Sequence, residues 1–298
     1  ETYYERRVHT AVGGLGVHAS GGTCIKAEGQ REAKMKLAVC IKQVPSSSEV
    51  SVDPVTHNLI REKSGTMMNP SDLNALEMAL GIKEENQGVC ETAAITMGPP
   101  GAQEELRTAM AMGIDRGCLL TDRCLAGGDT IATARALAKG LSRLGTYDLI
   151  LAGAESSDGA TGQVGPMLAE AMGLPHVSSV QRIEKVSEGE IQVLKKFHQS
   201  AVRLRVKLPA VVTVVYGCND PRLPTLRSKM AAKKKEIVVY TNEELQIPKE
   251  LAGLQGSPTM VTESFLPERV QTENFLTGNA REIAQKILEL VEKERGNT

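Results

Sequence analysis

The segment with the most chemical potential is 153–164, GAESSDGATGQV, which leads straight into an apolar helical pattern. Glycines at 153, 159 and 162 let the backbone approach a ligand closely. The N–H groups of Gly162, Gln163 and Val164, at the helix start, would point at an anion. The chemistry this supports is capture of a phosphate, with Asp158, Gly159, Ala160 and Thr161 in the approach to the helix. The run is neither G-x-G-x-x-G nor a P-loop, and a helix cap without any ligand accounts for it equally. Two more turns lie where ligands gather: MMNPSD at 67–72, heading a helix, and MGPPG at 97–101, after a strand. Positive charge collects at Arg222, Arg227 and the run KMAAKKK at 229–235, beginning with Lys229. A solvated face explains such a run. The adjoining CNDPRLPTL of 218–226 adds Leu226, an apolar side chain held among Pro and Arg turns, as protein-docking anchors often are.

These loops need elements to position them. Short apolar runs alternate with helical patterns, which predicts a parallel sheet covered by helices. The spacing predicts strands over 37–43, 91–97, 117–121 and 147–153, and helices over 71–85, 101–112, 129–143 and 161–172. In the first helix Leu73, Leu76 and Leu80, with Ala75 and Ala79, make one buried stripe. Asn69, Pro70 and Ser71 supply cap-type residues before it, as Asp129 and Thr130 do before the helix over 129–143. In a parallel sheet ligands bind beyond the carboxyl ends of strands, where the loops singled out above lie. After Gly173 the pattern turns to antiparallel strands over 177–186, 190–196 and 201–207, the first two joined by a Ser187-Glu188-Gly189 turn. The run 208–216, LPAVVTVVY, reads as a strand buried on both faces. An irregular basic loop and a short strand over 236–240 follow. Residues 241–278 lack periodicity and read as an arm wrapping a partner, closed by an amphipathic helix over 280–293.

Composition narrows the function classes. A net charge of −1 over 298 residues argues against general nucleic-acid binding, and no apolar run reaches the ~18 residues of a membrane helix. The six cysteines form no C-x-x-C and the five histidines do not cluster, so no metal site is expected; scattered cysteines fit a reducing, cytoplasmic compartment. The first 34 residues hold six glycines and no apolar period, and MKLAVCIKQVP begins at Met35. Residues 1–34 are therefore read as a non-native or disordered extension, 35–240 as the α/β domain with a loop at 218–235, and 241–298 as the arm and helix.

AVCIKQVP, MNPSDLNALEMAL, ITMGPP, AMGIDRG, DLILAG, TGQVGPMLAE, LPAVVTVV and AAKKKEIVV occur in this order. In order and spacing they resemble the electron-transfer flavoprotein β-subunit family from Met35 to Lys293. One block departs from the family: His198-Gln199-Ser200-Ala201 stands where an acidic-glycine turn is common. The resemblance implies a three-layer Rossmann-like fold of the adenine-nucleotide α-hydrolase-like kind, with a small antiparallel extension and a partner-wrapping arm. It implies a nucleotide site using Cys40 at the end of the first strand, Asn69 to Asp72, Met97, and Asp158 to Val164. It also implies a recognition loop for a partner flavin dehydrogenase, such as an acyl-CoA dehydrogenase, at 218–235, anchored at Leu226 with Arg222, Arg227 and Lys229 beside it. The tail would hold a flavin-bearing α subunit in a heterodimer.

Within the family the pocket holds either AMP, as a structural ligand, or a second FAD that accepts hydride from NADH. Thr121-Asp122-Arg123, Gly127-Gly128-Asp129-Thr130, KQVP, VDPVTHNLIR and TGQVGP resemble the bifurcating or related anaerobic groups. In those, electrons divide between a high-potential flavin and a low-potential carrier such as ferredoxin or flavodoxin. An ordinary N-cap is the other reading of Asp129-Thr130. The chain is then an electron-carrier subunit rather than a stand-alone enzyme, oxidising NADH only if bifurcating, and no side chain is required as acid, base or nucleophile. Two rivals are an ATP-activating enzyme of the wider fold group and an ATP-binding universal-stress-like module. The first expects S-G-G-x-D-S where Lys42-Gln43-Val44-Pro45 stands; the second leaves the basic loop and tail without a role.

Overall fold

A computed structural model describes residues 4–7, 35–46, 51–52, 59–60, 65–86, 90–197, 200–260 and 275–295. It divides into two units, Glu1–Met260 and Val261–Thr298. Strands of the first unit run β1 Tyr4–Arg7, β2 Lys36–Cys40, β3 Gln43–Pro45, β4 Ser51–Val52, β5 Leu59–Ile60, β6 Thr66–Met68, β7 Glu91–Met97 and β8 Arg116–Leu120. They continue as β9 Leu149–Gly153, β10 His176–Val180, β11 Arg182–Ser187, β12 Glu190–Lys196, β13 Ala201–Lys207, β14 Ala210–Val214 and β15 Ile237–Tyr240. Its helices are α1 Pro70–Glu85, α2 Gln103–Met112, α3 Thr130–Leu144, α4 Val164–Met172, α5 Leu226–Lys234 and α6 Asn242–Leu245.

Seven strands make a parallel sheet in the order β10-β14-β9-β2-β7-β8-β15. Successive β2 residues face opposite ways: Leu37 and Val39 pack with α1 and α2, Ala38 and Cys40 with α3 and α4. The result is the expected three-layer Rossmann-like fold. From β2 the chain proceeds through β7 and β8 on one side, then returns through β9 and β14 on the other. The crevice between the ends of β2 and β9 is therefore a topological switch point, where sheets of this type bind ligands. Of the run 208–216 read as a strand buried on both faces, only β14, residues 210–214, is strand, and every residue of it is buried; Pro209 before it and Tyr216 after it are exposed.

The single strand expected over 177–186 is two strands serving two sheets. Ser179 takes φ +57, and the chain passes from β10, which pairs parallel with β14 against the antiparallel expectation, to β11, antiparallel to β12 in a separate sheet. β11, β12 and β13 form the antiparallel extension, with β1 parallel to the far edge of β13. The helix expected from 161 starts at Val164, because Gly162 at φ +63 breaks helical geometry. The basic stretch expected to be irregular contains α5, whose Ala232 packs against Met110 and Ala111 of α2. Arg107 closes its C-terminus by donating to the carbonyls of Ala232 and Lys235, at 2.9 and 3.1 Å.

The beginning of the expected arm folds onto its own domain. α6 has a capping box between Thr241 and Glu244, and Leu245, Ile247 and Ala252 are buried in the α3/α4 core. Of the remainder, 261–274 and 296–298 lie outside the described residues, as do 1–3 and 8–34 of the expected extension. In the second unit, helix α7 spans Ala280–Arg295, and Asn279 caps it by accepting from the amides of Arg281 and Glu282 at 3.1 Å each.

Candidate functional site

The site is assembled by the first turn of α1. Asn69, Ser71 and Asp72 are polar yet buried; the first two are held by bonds to the segment after β9, the third by bonds at the ends of β9 and β2. Asn69 Nδ2 and Ser71 Oγ both donate to the Glu155 carbonyl at 2.9 Å, and the Ser157 amide donates to Asn69 Oδ1 at 3.0 Å. Asp72 joins the two strand ends that flank the switch point. Its carboxylate accepts the Gly153 amide at 2.9 Å and the Lys42 amide at 2.7 Å. Burial pushes this carboxyl up to about 7 despite those two donors, which pull the other way. Cys40 lies beside it on β2, paired with Ala152 of β9, and burial, aided by the charge of Asp72, pushes its thiol up to about 12. A thiol so raised stays protonated and inert at neutral pH.

Gly153 is a steric requirement of this arrangement. A Cβ there would strike Asp72 Oδ1 and sit 2.8 Å from the Ser71 Cβ. After it the loop runs through Ser157, Asp158, Gly159, Ala160 and Thr161, all exposed, with Ala160 at φ +48 and its amide bonded to the Ser156 carbonyl at 2.8 Å. The Lys42 ammonium reaches across the crevice to Asp158, at 2.6 and 2.8 Å. Burial alone would raise Asp158, but its bonds and proximity to Lys42 hold the carboxyl below its ordinary value.

Two helices start at this edge. At α3, Asp129 Oδ1 accepts the amides of Ile131 and Ala132 at 3.0 Å each, while Oδ2 accepts Thr259 N and Oγ1 at 3.1 and 2.9 Å. Thr130 Oγ1 donates to Gln163 Oε1 at 3.0 Å, tying this start to the next. At α4, Gln163 makes no side-chain cap, so the amides of Val164 and Gly165 have neither an intrahelical acceptor nor a capping side chain. Uncapped amides, a Lys42 ammonium and a polar Gly/Ser/Thr approach are a donor set matched to phosphate oxygens.

The structure thus gathers Cys40, Asn69, Pro70, Ser71, Asp72 and the 158–164 loop at one crevice. Thr130 joins them through Gln163, and Asp129 stands one residue back as a cap. Met97 ends β7 opposite Leu120, packed toward the α3/α4 core. Lys42 escaped selection in the sequence, where it falls inside the strand expected over 37–43; in the structure it stands two residues past the end of β2, and its partner Asp158 is 116 residues away. The partner-docking group lies apart from this crevice. Leu226 opens α5, where it, Arg227 and Lys229 are exposed, whereas Arg222 is bonded to α1.

A three-layer parallel domain with a phosphate-suited crevice at its switch point defines the broad class. Comparison with known proteins narrows it. Residues 56–245 match the electron transfer flavoprotein domain model. The chain is 40% identical over 257 residues to "Electron transfer flavoprotein subunit beta" of Thermoanaerobacterium thermosaccharolyticum, covering 86% of this chain and 97% of that protein. It is 39% identical over 255 residues to "Caffeyl-CoA reductase-Etf complex subunit CarD" of Acetobacterium woodii, covering 85% and 97%. "Protein FixA" of Azorhizobium caulinodans is 38% identical over 240 residues, 78% of this chain and 85% of that protein. The chain belongs to the electron-transfer flavoprotein β-subunit family, whose function is electron transfer and whose members pair with an α subunit. Among the described residues, no helix is long and apolar enough to cross a membrane.

Proposed function

We propose that the crevice between β2 and β9 binds an adenosine nucleotide, FAD or AMP, and that the chain works in a heterodimer with a flavin-bearing α subunit. The observation that carries this reading is the uncapped start of α4 beside the buried Asn69–Ser71–Asp72 cluster. The α4 amides and Lys42 bind phosphate oxygens, and the α1 turn fixes the loop that carries them. When bound, FAD supplies hydride acceptance from NADH and single-electron release, whereas AMP supplies structure alone. The heterodimer passes electrons between NADH or acyl-CoA-type flavin dehydrogenases and other carriers, ferredoxin or flavodoxin in the bifurcating form, in the cytoplasm. The relative named for a caffeyl-CoA reductase complex supports a partner acting on CoA thioesters.

Nucleotide extraction and an absorbance spectrum of the co-expressed two-subunit complex test the reading. Two FAD per heterodimer, bleached by NADH, mark the bifurcating form; one FAD with one AMP marks the simple form. A complex holding flavin only in the α subunit, with nothing in the β crevice, refutes the proposed site.

A further inference from the structure

Helix α1 holds two loops with two sets of side chains. Its first turn holds the crevice loop; Asn74, Glu77 and Glu84 hold the segment before α5. Asn74 is buried, accepts the Gly217 amide at 3.0 Å, and donates to Asn219 O and Oδ1 at 2.8 and 2.7 Å. Asn219 returns a bond to the Asn74 carbonyl at 3.0 Å. Glu77 and Glu84 lie two turns apart on one helix face, and Arg222 spans both. Its Nε and Nη2 donate to Glu77 at 3.0 and 2.8 Å, its Nη1 and Nη2 to Glu84, and its amide to Glu77 at 2.9 Å. The guanidinium is committed to its own chain. The next residue, Leu223, is 91% exposed; Leu226 is 77% and Met230 61% exposed, with Arg227, Lys229, Lys233 and Lys234 around them.

We propose that Arg222 is a positioning residue. Clamped to Glu77 and Glu84, it fixes the 217–225 loop so that Leu223 and Leu226 stand ready to enter an acid-rimmed apolar pocket on a flavin dehydrogenase. This rests on the reading of 218–235 as the docking surface. The physical gain is preorganisation: a loop ordered before the encounter loses less conformational entropy on binding. Arginine suits the task because its planar fork engages two carboxylates at once, which a lysine ammonium cannot reproduce.

The test uses the assembled two-subunit protein and, as probe, a purified FAD-containing acyl-CoA dehydrogenase. Arg222→Lys and the exposed-site variant Glu84→Gln are compared with Leu226→Ala. Arg222→Lys should raise the KM for the dehydrogenase about tenfold with kcat nearly unchanged and bound nucleotide retained. Amide exchange over 217–223 should quicken in Arg222→Lys and Glu84→Gln but not in Leu226→Ala. If Leu226→Ala raises KM while Arg222→Lys does not, the positioning role is overturned and the docking reading survives. If Leu226→Ala leaves KM at the wild-type value, the docking reading fails and the positioning role falls with it.

Discussion

Helices α3 and α4 begin at the same edge of one sheet, yet their first amides are treated oppositely. At α3, Asp129 caps two amides and is itself held by Thr259, so the terminus is electrostatically finished within the chain. At α4, the cap position carries Gln163, whose side chain bonds to Thr130 instead. The difference separates a helix start closed by its own side-chain cap from one without such a cap, the start to which the proposed phosphate is assigned.

Four variants break or sharpen this contrast. The largest effect belongs to Gly153→Val, whose side chain would displace Asp72 and Ser71 from beneath the α4 loop. Overpacking of this type costs about 1–3 kcal/mol, and urea denaturation together with nucleotide extraction should show both lowered stability and an emptied crevice. Next comes the buried carboxyl itself. Asp72 has a folded value raised to about 7, so its contribution favours the fold below the unfolded value of about 4 and is lost as pH rises through about 7. Relative to Asp72→Asn, the wild type should lose roughly 1.4 kcal/mol per pH unit across that window, read by denaturation at a series of pH values.

Gln163→Asp makes the open terminus resemble the closed one. A carboxylate beside the α4 amides competes with phosphate, and nucleotide affinity in the two-subunit complex should fall about tenfold by calorimetry. The reverse experiment, Asp129→Ala, should lower stability by about 1 kcal/mol while leaving nucleotide content unchanged. Loss of nucleotide in that variant would place Asp129 among the ligand contacts and erase the contrast.

Most of the frame was legible because it is local. The alternation of apolar runs with helical stripes yielded the strands and helices of the parallel sheet apart from β10, and the loops after them marked the edge at which the proposed site lies. What escaped detection depends on distant contacts or single backbone torsions. The turn at Ser179 splits one expected strand between two sheets, and the residue types over 177–186 carry no sign of it. Arg222 reads as a free surface charge until Glu77, 145 residues earlier, is seen beneath it. Likewise Leu245, Ile247 and Ala252 look like a loose arm because their burial is against α3 and the sheet, with no periodicity of their own. Asn69, Pro70 and Ser71 were legible as cap-type residues, but the Asn69 side chain makes no cap of α1, and the burial of Asn69 and Ser71 and their grip on the Glu155 carbonyl were not legible.

An experimental structure of the co-purified two-subunit complex tests the phosphate site most directly. It should show a nucleotide phosphate oxygen within about 3 Å of the Val164 or Gly165 amide, with the Lys42 ammonium turned from Asp158 toward it. A nucleotide bound elsewhere, or an α4 start facing only water in the fully loaded complex, would contradict it.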